Sequence, residues 1–393
     1  MADWGNIPKD LVTKISKHMK LLEDFEVFGH VCSCWRSAVN EAKFHAKNTQ
    51  TQSSTLSRMP WLMLPEKDET SNQRRFYSFY NKQVRHVSLP QPNHHNKRLL
   101  SSRGWLMSVT YMNLKGYFNL CLINPLTGAV IKLPQVNRIH YPICQIKHFE
   151  KFILSANPST TTDFTIGLII NVTRMNFDLS YSTICFWRNH NEEWKPLDVD
   201  FISFDMTCYR GVFYAVTVTA PSIQIWRLNV DNSGHPQELV IQIESHRDLI
   251  PKSFDYYKYV VNYYLVESGD RLLLVCRVRT LAETKSFQVF EIDVDKREFK
   301  KVDCLYDVAI FIGTHSSFST EVSIDHGCKP NSIYFTDDYM IKGTNCWYKI
   351  KLDIMGKDMG VYNLADGTID RCYNGPSHCS KYAPFTWFEV PTS

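Results

Sequence analysis

The chain has 393 residues, 44% of them apolar, 21% charged and 13% aromatic, with a formal net charge of +4. That length holds two or three ordinary domains, or one small domain and one large β architecture, and the aromatic content favours strands. The weak, dispersed positive charge excludes the concentrated basic stripe that nucleic acid requires, and the longest nearly apolar run, residues 164–172, falls far short of the roughly 20 residues of a membrane helix, so neither nucleic acid nor membrane is an expected partner.

Residues 1–45 read as three short amphipathic helices. Met1, Ala2, Asp3 and Trp4 lead into a polar stretch with no apolar leader core, so a cytoplasmic or nuclear location is expected. Pro8 suits the opening of a first helix. Leu11 and Ile15 stand one turn apart, and Met19 and Leu22 extend their stripe. A second helix is predicted near residues 23–29, with Phe25 and Phe28 on one face. Ser33 is a candidate N-cap for a third, on which Trp35, Val39 and Ala42 recur at helical spacing. So small a module cannot bury every apolar residue by itself.

Residues 46–75 read as a linker. Asn48 to Thr55 is polar and uncharged, and Pro60-Trp61-Leu62-Met63-Leu64-Pro65 is an apolar plug between two prolines. From residue 76 onward the pattern is strand, turn, strand. Leu120–Ile123 and Ala129–Pro134 flank the turn Asn124-Pro125-Leu126-Thr127-Gly128. Similar units pair Thr183–Trp187 with Trp194–Leu197, Ile223–Leu228 with Glu238–Ile241, Phe287–Ile292 with Glu298–Val302, and Met359–Leu364 with Thr368–Asp370. Loose repetition of such hairpins fits a degenerate β-propeller, in which radial sheets avoid exposed edges. A two-sheet sandwich is the structural alternative. No Trp-Asp dipeptide and no Gly-Gly doublet occurs, so the commonest propeller repeats are absent.

The N-terminal pattern, Ile7-Pro8, Leu11, Ile15, Leu22, Phe28, Val31 and Trp35, resembles the F-box, the module that tethers a protein to the Skp adaptor of a cullin-based ubiquitin ligase. Asn331–Asp338, Gly360–Ile369, Pro60–Pro65, Ile123–Gly128 and the closing Phe385–Phe388 are similar to stretches of a large plant family. Its members join an F-box to a kelch-like propeller domain of unknown function. Ile7 stands where that family usually has Leu, Glu26 and Val27 where a basic and less apolar pair is common, and Cys34 where a polar residue precedes the tryptophan. Exchanging Leu for Ile keeps the apolar volume. The acidic change lowers the expected adaptor affinity without removing the apolar anchors.

The resemblance implies a small all-α F-box over residues 1–45, the linker over 46–75, and a substrate-recognition propeller over 76–393. It also implies a non-catalytic receptor subunit of a Skp–cullin–F-box ligase. The adaptor would be held by Ile7, Pro8, Leu11, Ile15, Leu22, Phe28, Val31 and Trp35, with cullin reached through it and a protein target held by propeller loops. Two other readings stay open: a regulatory F-box protein that delivers no target, and a propeller enzyme with titratable residues of perturbed pKa at its central opening.

Other candidate chemistry is thin. His94 and His95 lack further metal ligands nearby and read as a solvated loop. Lys97, Arg98 and Arg103 form a candidate basic rim for an acidic or phosphorylated target. Asp337 and Asp338, adjacent along the chain, read as a turn or bulge rather than an acid/base pair. The twelve cysteines contain no Cys-x-x-Cys pair and read as buried thiols. No nucleophile elbow, phosphate loop or dinucleotide fingerprint is present, and no cofactor is expected.

Overall fold

The computed structural model describes residues 7–16, 28–29, 31–38, 59–65, 72–90, 97–112, 117–136, 144–174, 180–189, 191–197, 203–219, 222–230, 237–244, 259–280, 282–322, 327–337, 358–375 and 385–390. The chain forms two compact units, Met1–Pro60 and Trp61–Pro391. No helix among the described residues is long and apolar enough to cross a membrane.

In the first unit, α1 (Lys9–Ser16) starts on Pro8, whose carbonyl accepts the Leu11 and Val12 amides. Residues 33–38 form a second helix, and its first turn closes from the Arg36 amide to the Cys32 carbonyl, one residue before the expected cap at Ser33. Residues 28–29 are helical. Most of the predicted middle helix, and Leu22 before it, lie outside the described residues, so three helices are not established.

The second unit is a β-propeller of six sheets among the described residues. The first blade contains β1 (Trp61–Met63), β2 (Gln73–Ser78) and β3 (Val84–Ser88). The second is β4 (Lys97–Ser102), β5 (Trp105–Met112), β6 (Tyr117–Ile123) and β7 (Val130–Lys132). The third is β8 (Cys144–Leu154), β9 (Thr165–Arg174), β10 (Ser180–Arg188) and β11 (Lys195–Leu197). The fourth is β12 (Ser203–Tyr209), β13 (Val212–Thr219), β14 (Ser222–Leu228) and β15 (Gln237–Ile243). The fifth is β16 (Val260–Ser268), β17 (Arg271–Arg279), β18 (Thr284–Asp293) and β19 (Glu298–Val302). The sixth holds β20 (Val308–Ile312), β21 (Ser317–Glu321), β22 (Ser332–Phe335), β23 (Gly360–Asn363) and β24 (Ile369–Asp370). A last strand, β25 (Thr386–Phe388), returns to the first blade and pairs with β1, Leu62 opposite Trp387. The ring is thus closed by the two ends of the propeller sequence. The sandwich alternative is set aside.

The apolar segment read as a plug within a linker is β1 itself. It is buried on both faces and hydrogen-bonded on both edges, which is why it lacks alternation. Neighbouring blades pack through their inner strands β25, β4, β8, β12, β16 and β21, which surround the axis. The core lies in the seams between blades. One cluster joins blades two and three around Phe149, Phe152 and Ile166, and another joins blades four and five around Leu265, Leu274 and Ile225. Each such fully buried side chain contributes about 1.5–3 kcal/mol relative to exposure. The sixth blade departs from the others: β20 pairs with β22 in parallel, because the chain lays down β20, turns inward to β21 and then crosses back.

The predicted hairpins are the outer strand pairs of blades two to six. Two of them share one turn. Asn124 Oδ1 accepts the Leu126 and Thr127 amides, and Gly128 donates back to the Asn124 carbonyl. Asn363 Oδ1 accepts the Ala365 amide, and Gly367 donates to the Asn363 carbonyl. Gly128 and Gly367 have φ of 74° and 72°, the left-handed conformation that glycine adopts without steric cost.

Candidate functional site

The helical unit has a small core of Val12, Phe28, Trp35 and Ala38, with Ile7, Cys32 and Cys34 packed against it. The Phe28 and Trp35 rings lie 4.2 Å apart, and the Arg36 Nε–H donates to the Gly29 carbonyl at 3.2 Å. On α1, Val12 and Ser16 face inward, one turn apart. Leu11 and Ile15 lie on the other side and are 46% and 43% exposed; Val31 is 50% exposed, and Pro8 is exposed too. The single apolar stripe expected from spacing therefore divides. Phe28 and Trp35 belong to the interior, Ile7 is half-buried, and Pro8, Leu11, Ile15 and Val31 face outward. Leu22 lies outside the described residues. Val12 was missed in the sequence because the Leu11–Ile15 pair obeys the same four-residue spacing.

The basic rim does not assemble. Arg98 and Arg103 sit at opposite ends of β4, and five residue steps along a strand span about 16 Å. The Arg98 Nη2 donates to His315 Nε2 at 3.0 Å, and burial pushes the guanidinium down to about 10. Because arginine carries no acceptor, His315 Nε2 must accept; Nδ1–H then donates to the Glu150 carbonyl at 3.1 Å, which fixes the neutral tautomer. Arg103 donates from Nε to the Leu154 carbonyl at 2.9 Å and from Nη2 to Glu267 Oε2 at 2.6 Å. Arg98 and Arg103 thus hold the propeller's own strands together. Lys97 opens β4, and His94 and His95 lie outside the described residues.

A polar layer continues around the axis. Lys151 Nζ and Asp205 Oδ1 form an ion pair at 2.8 Å with side chains 1% and 2% exposed. Lys151 also donates to Ser317 Oγ at 2.8 Å, and Asp205 Oδ2 accepts the Leu265 amide at 3.0 Å. This one network ties β8, β12, β16 and β21. A second buried pair, Arg277 with Asp358 at 2.9 Å, joins blades five and six, and Arg279 lies 3.7 Å from Asp337. Asp337 is therefore part of a buried ion cluster that binds blades together; Asp338 lies outside the described residues.

Where the inner strands end at their first hairpin turns, the axis opens into a cavity of about 260 Å³. Arg103, Cys208, Glu267 and Glu389 line it, with Ser101, Ser102 and Ser316–Ser319. Titratable groups at the central opening are what the enzyme alternative requires, and they are present. Burial pushes the Cys208 thiol up to about 11, so it is protonated near neutrality and poorly nucleophilic. Glu267 is engaged by Arg103. Burial also raises the Glu389 carboxyl, partly opposed by Arg103.

The Glu389 shift has a definite sign. A carboxyl whose pKa is higher folded than unfolded binds extra protons in the native state, so stability falls as pH rises from the ordinary value of 4.5 through the raised one. Glu389→Gln is therefore expected to raise the melting temperature at pH 7.5, with the gain shrinking toward zero at pH 4. Thermal denaturation of both proteins across that range checks it; an unchanged or lowered melting temperature at pH 7.5 is the contrary result.

Fold and site together define a β-propeller protein with a helical N-terminal unit that leaves apolar side chains outward. The chain belongs to the KIB1-4 β-propeller family, whose model matches residues 76–363. Its curated relatives are named F-box proteins of Arabidopsis thaliana. One is 24% identical, covering 99% of this chain and 98% of the relative; a second is 24% identical over 87% and 91%, and a third 22% over 94% and 96%. Among solved structures, an oligogalacturonate lyase in complex with manganese aligns with 76% of this chain and 70% of its own at 12% identity and a TM-score of 0.35, too distant to bear on activity.

Proposed function

We propose that this chain is the substrate-recognition subunit of a Skp–cullin–F-box ubiquitin ligase. The observation that carries this reading is the outward apolar face of the helical unit: Leu11, Ile15 and Val31 stay near half exposed beside the small core of Val12, Phe28, Trp35 and Ala38. A few apolar anchors seated in a partner supply most of the energy of such an interface. Pro8, Leu11, Ile15 and Val31 make the contact; Phe28 and Trp35 hold the face in shape from within. The relatives' F-box names support the same partner class. The propeller then presents a protein target, and catalysis belongs to the conjugating enzyme brought by the cullin. The chain itself contributes proximity, which raises the effective concentration of target lysines.

Affinity capture of the full chain beside a Pro8→Ala/Leu11→Ala variant tests this reading. The expected result is loss of the Skp adaptor from the variant while a second protein is retained. Recovery of adaptor by the variant at the wild-type level counts against it. Ubiquitination of the retained protein in a reconstituted ligase separates target delivery from mere adaptor binding.

A further inference from the structure

Several inner strands meet around one imidazole. His315 stands two residues before β21 and is 2% exposed. Its Nε2 accepts from Arg98 of β4 at 3.0 Å, and its Nδ1–H donates to the Glu150 carbonyl of β8 at 3.1 Å. The residues that follow are anchored too. Ser316 donates to the Trp387 carbonyl of β25, and Ser317 accepts from Lys151 of β8. The root of β21 is thereby tied to blades one, two and three, and the tie to Arg98 in blade two runs through the imidazole.

Both ring nitrogens are committed in the neutral form. Arginine has no acceptor, so a proton on Nε2 would abolish the Arg98 bond and set two cations against each other. The other charges on the elements packed here are already matched among the described residues. Arg98 is attracted by the Glu150 carboxylate, which also accepts from Asn171 and Ser182 at 3.4 Å each. Lys151 is paired with Asp205 of β12, and Glu267 of β16 with Arg103. β25 presents the neutral Trp387 carbonyl. A proton on His315 would be a charge with no carboxylate of its own, in a site where burial already disfavours the charged form.

We propose that His315 is an acid-sensitive latch of the propeller: its neutral imidazole locks the root of β21 to β4 and β8, and protonation releases that seam. In the latched state the ring stays neutral, whereas in the released state it titrates near the ordinary histidine value of about 6.5. The released state therefore binds the extra proton, so latching is complete above that value and is lost as pH falls below it. Between pH 7.5 and pH 5.5 the released state gains about tenfold in weight. The latch belongs to the propeller alone, and the inference stands whether or not α1 docks an adaptor.

Amide hydrogen exchange of the full chain tests the latch, read by mass spectrometry at pH 7.5 and pH 5.5 and corrected for the intrinsic pH dependence of exchange. The expected result is that protection of β21 and β4 falls about tenfold at pH 5.5 while that of β13 and β14 in blade four stays within about twofold. His315→Gln is expected to abolish this selective fall, because the glutamine oxygen accepts from Arg98 and carries no titrating proton. Unchanged protection of β21 in the wild type overturns the proposal. So does an equal fall in blade four, which would make the acid effect global. A His315→Gln chain that circular dichroism shows folded, yet keeps the selective fall, overturns it as well. Should that variant not fold, the two wild-type comparisons decide.

Discussion

Trp387→Ala is expected to cost about 3–5 kcal/mol of propeller stability, the range for truncating a buried tryptophan. Trp387 is fully buried on β25, the strand that closes the ring. Its ring packs on Phe311 at 5.2 Å, Phe79 at 5.7 Å and Tyr334 at 6.1 Å, which joins blades six and one. The indole N–H donates to the Ile312 carbonyl at 2.9 Å, and the Trp387 carbonyl accepts the Ser316 hydroxyl at 2.9 Å. Truncation therefore opens a cavity beside the β25–β1 pairing that closes the ring without continuous chain, and it removes one of the two hydrogen bonds to the Ile312 carbonyl, which still accepts the Thr336 amide. Urea unfolding followed by far-ultraviolet circular dichroism reads the shift in midpoint. A loss below 1 kcal/mol would mean that the ring closes without β25.

Lys151→Met is expected to cost about 3–5 kcal/mol, because it removes one partner of a buried ion pair and takes the Lys151 ammonium from beside the Asp205 carboxylate. The double variant Lys151→Met/Asp205→Leu is expected to recover much of that loss. Replacing a buried pair with apolar volume removes the desolvation penalty along with the attraction. The Leu265 amide, which Asp205 accepts, keeps the recovery incomplete. A double-mutant cycle in urea measures the coupling; simple additivity of the two single losses would show that the charges do not sense one another.

These two sites show what was legible in the sequence. The outer hairpins of blades two to six could be read because one face alternates with solvent and each ends in a polar turn such as Asn124–Gly128 or Asn363–Gly367. The inner strands could not. β4 begins with Lys97 and Arg98, which read as a basic rim, and β8, which carries Glu150 and Lys151, belongs to none of the predicted hairpins. In the folded chain those charges meet partners contributed by other blades, Arg98 with His315 and Lys151 with Asp205, at sequence separations no local pattern records. The first blade was missed for a related reason: its strands come from both ends of the propeller sequence. In the helical unit spacing alone could not decide whether Leu11 and Ile15 or Val12 and Ser16 point inward, since both pairs sit one turn apart. The cavity at the axis, with Glu389 arriving from the C-terminal segment, had no local signal at all.

The proposed adaptor docking uses the outward face of α1, and a binding isotherm between the purified full chain and a purified plant Skp adaptor reads it without intermediaries. Leu11→Asp/Ile15→Asp is the paired variant, both positions being exposed, so its circular dichroism and melting temperature should match the wild type. The expected result is saturable binding by the wild type and at least a hundredfold weaker binding by the variant, the loss that follows from removing two anchors of about 1.4 kcal/mol or more each. Wild-type chain that binds no Skp adaptor, or a folded variant that binds as tightly as the wild type, would contradict it.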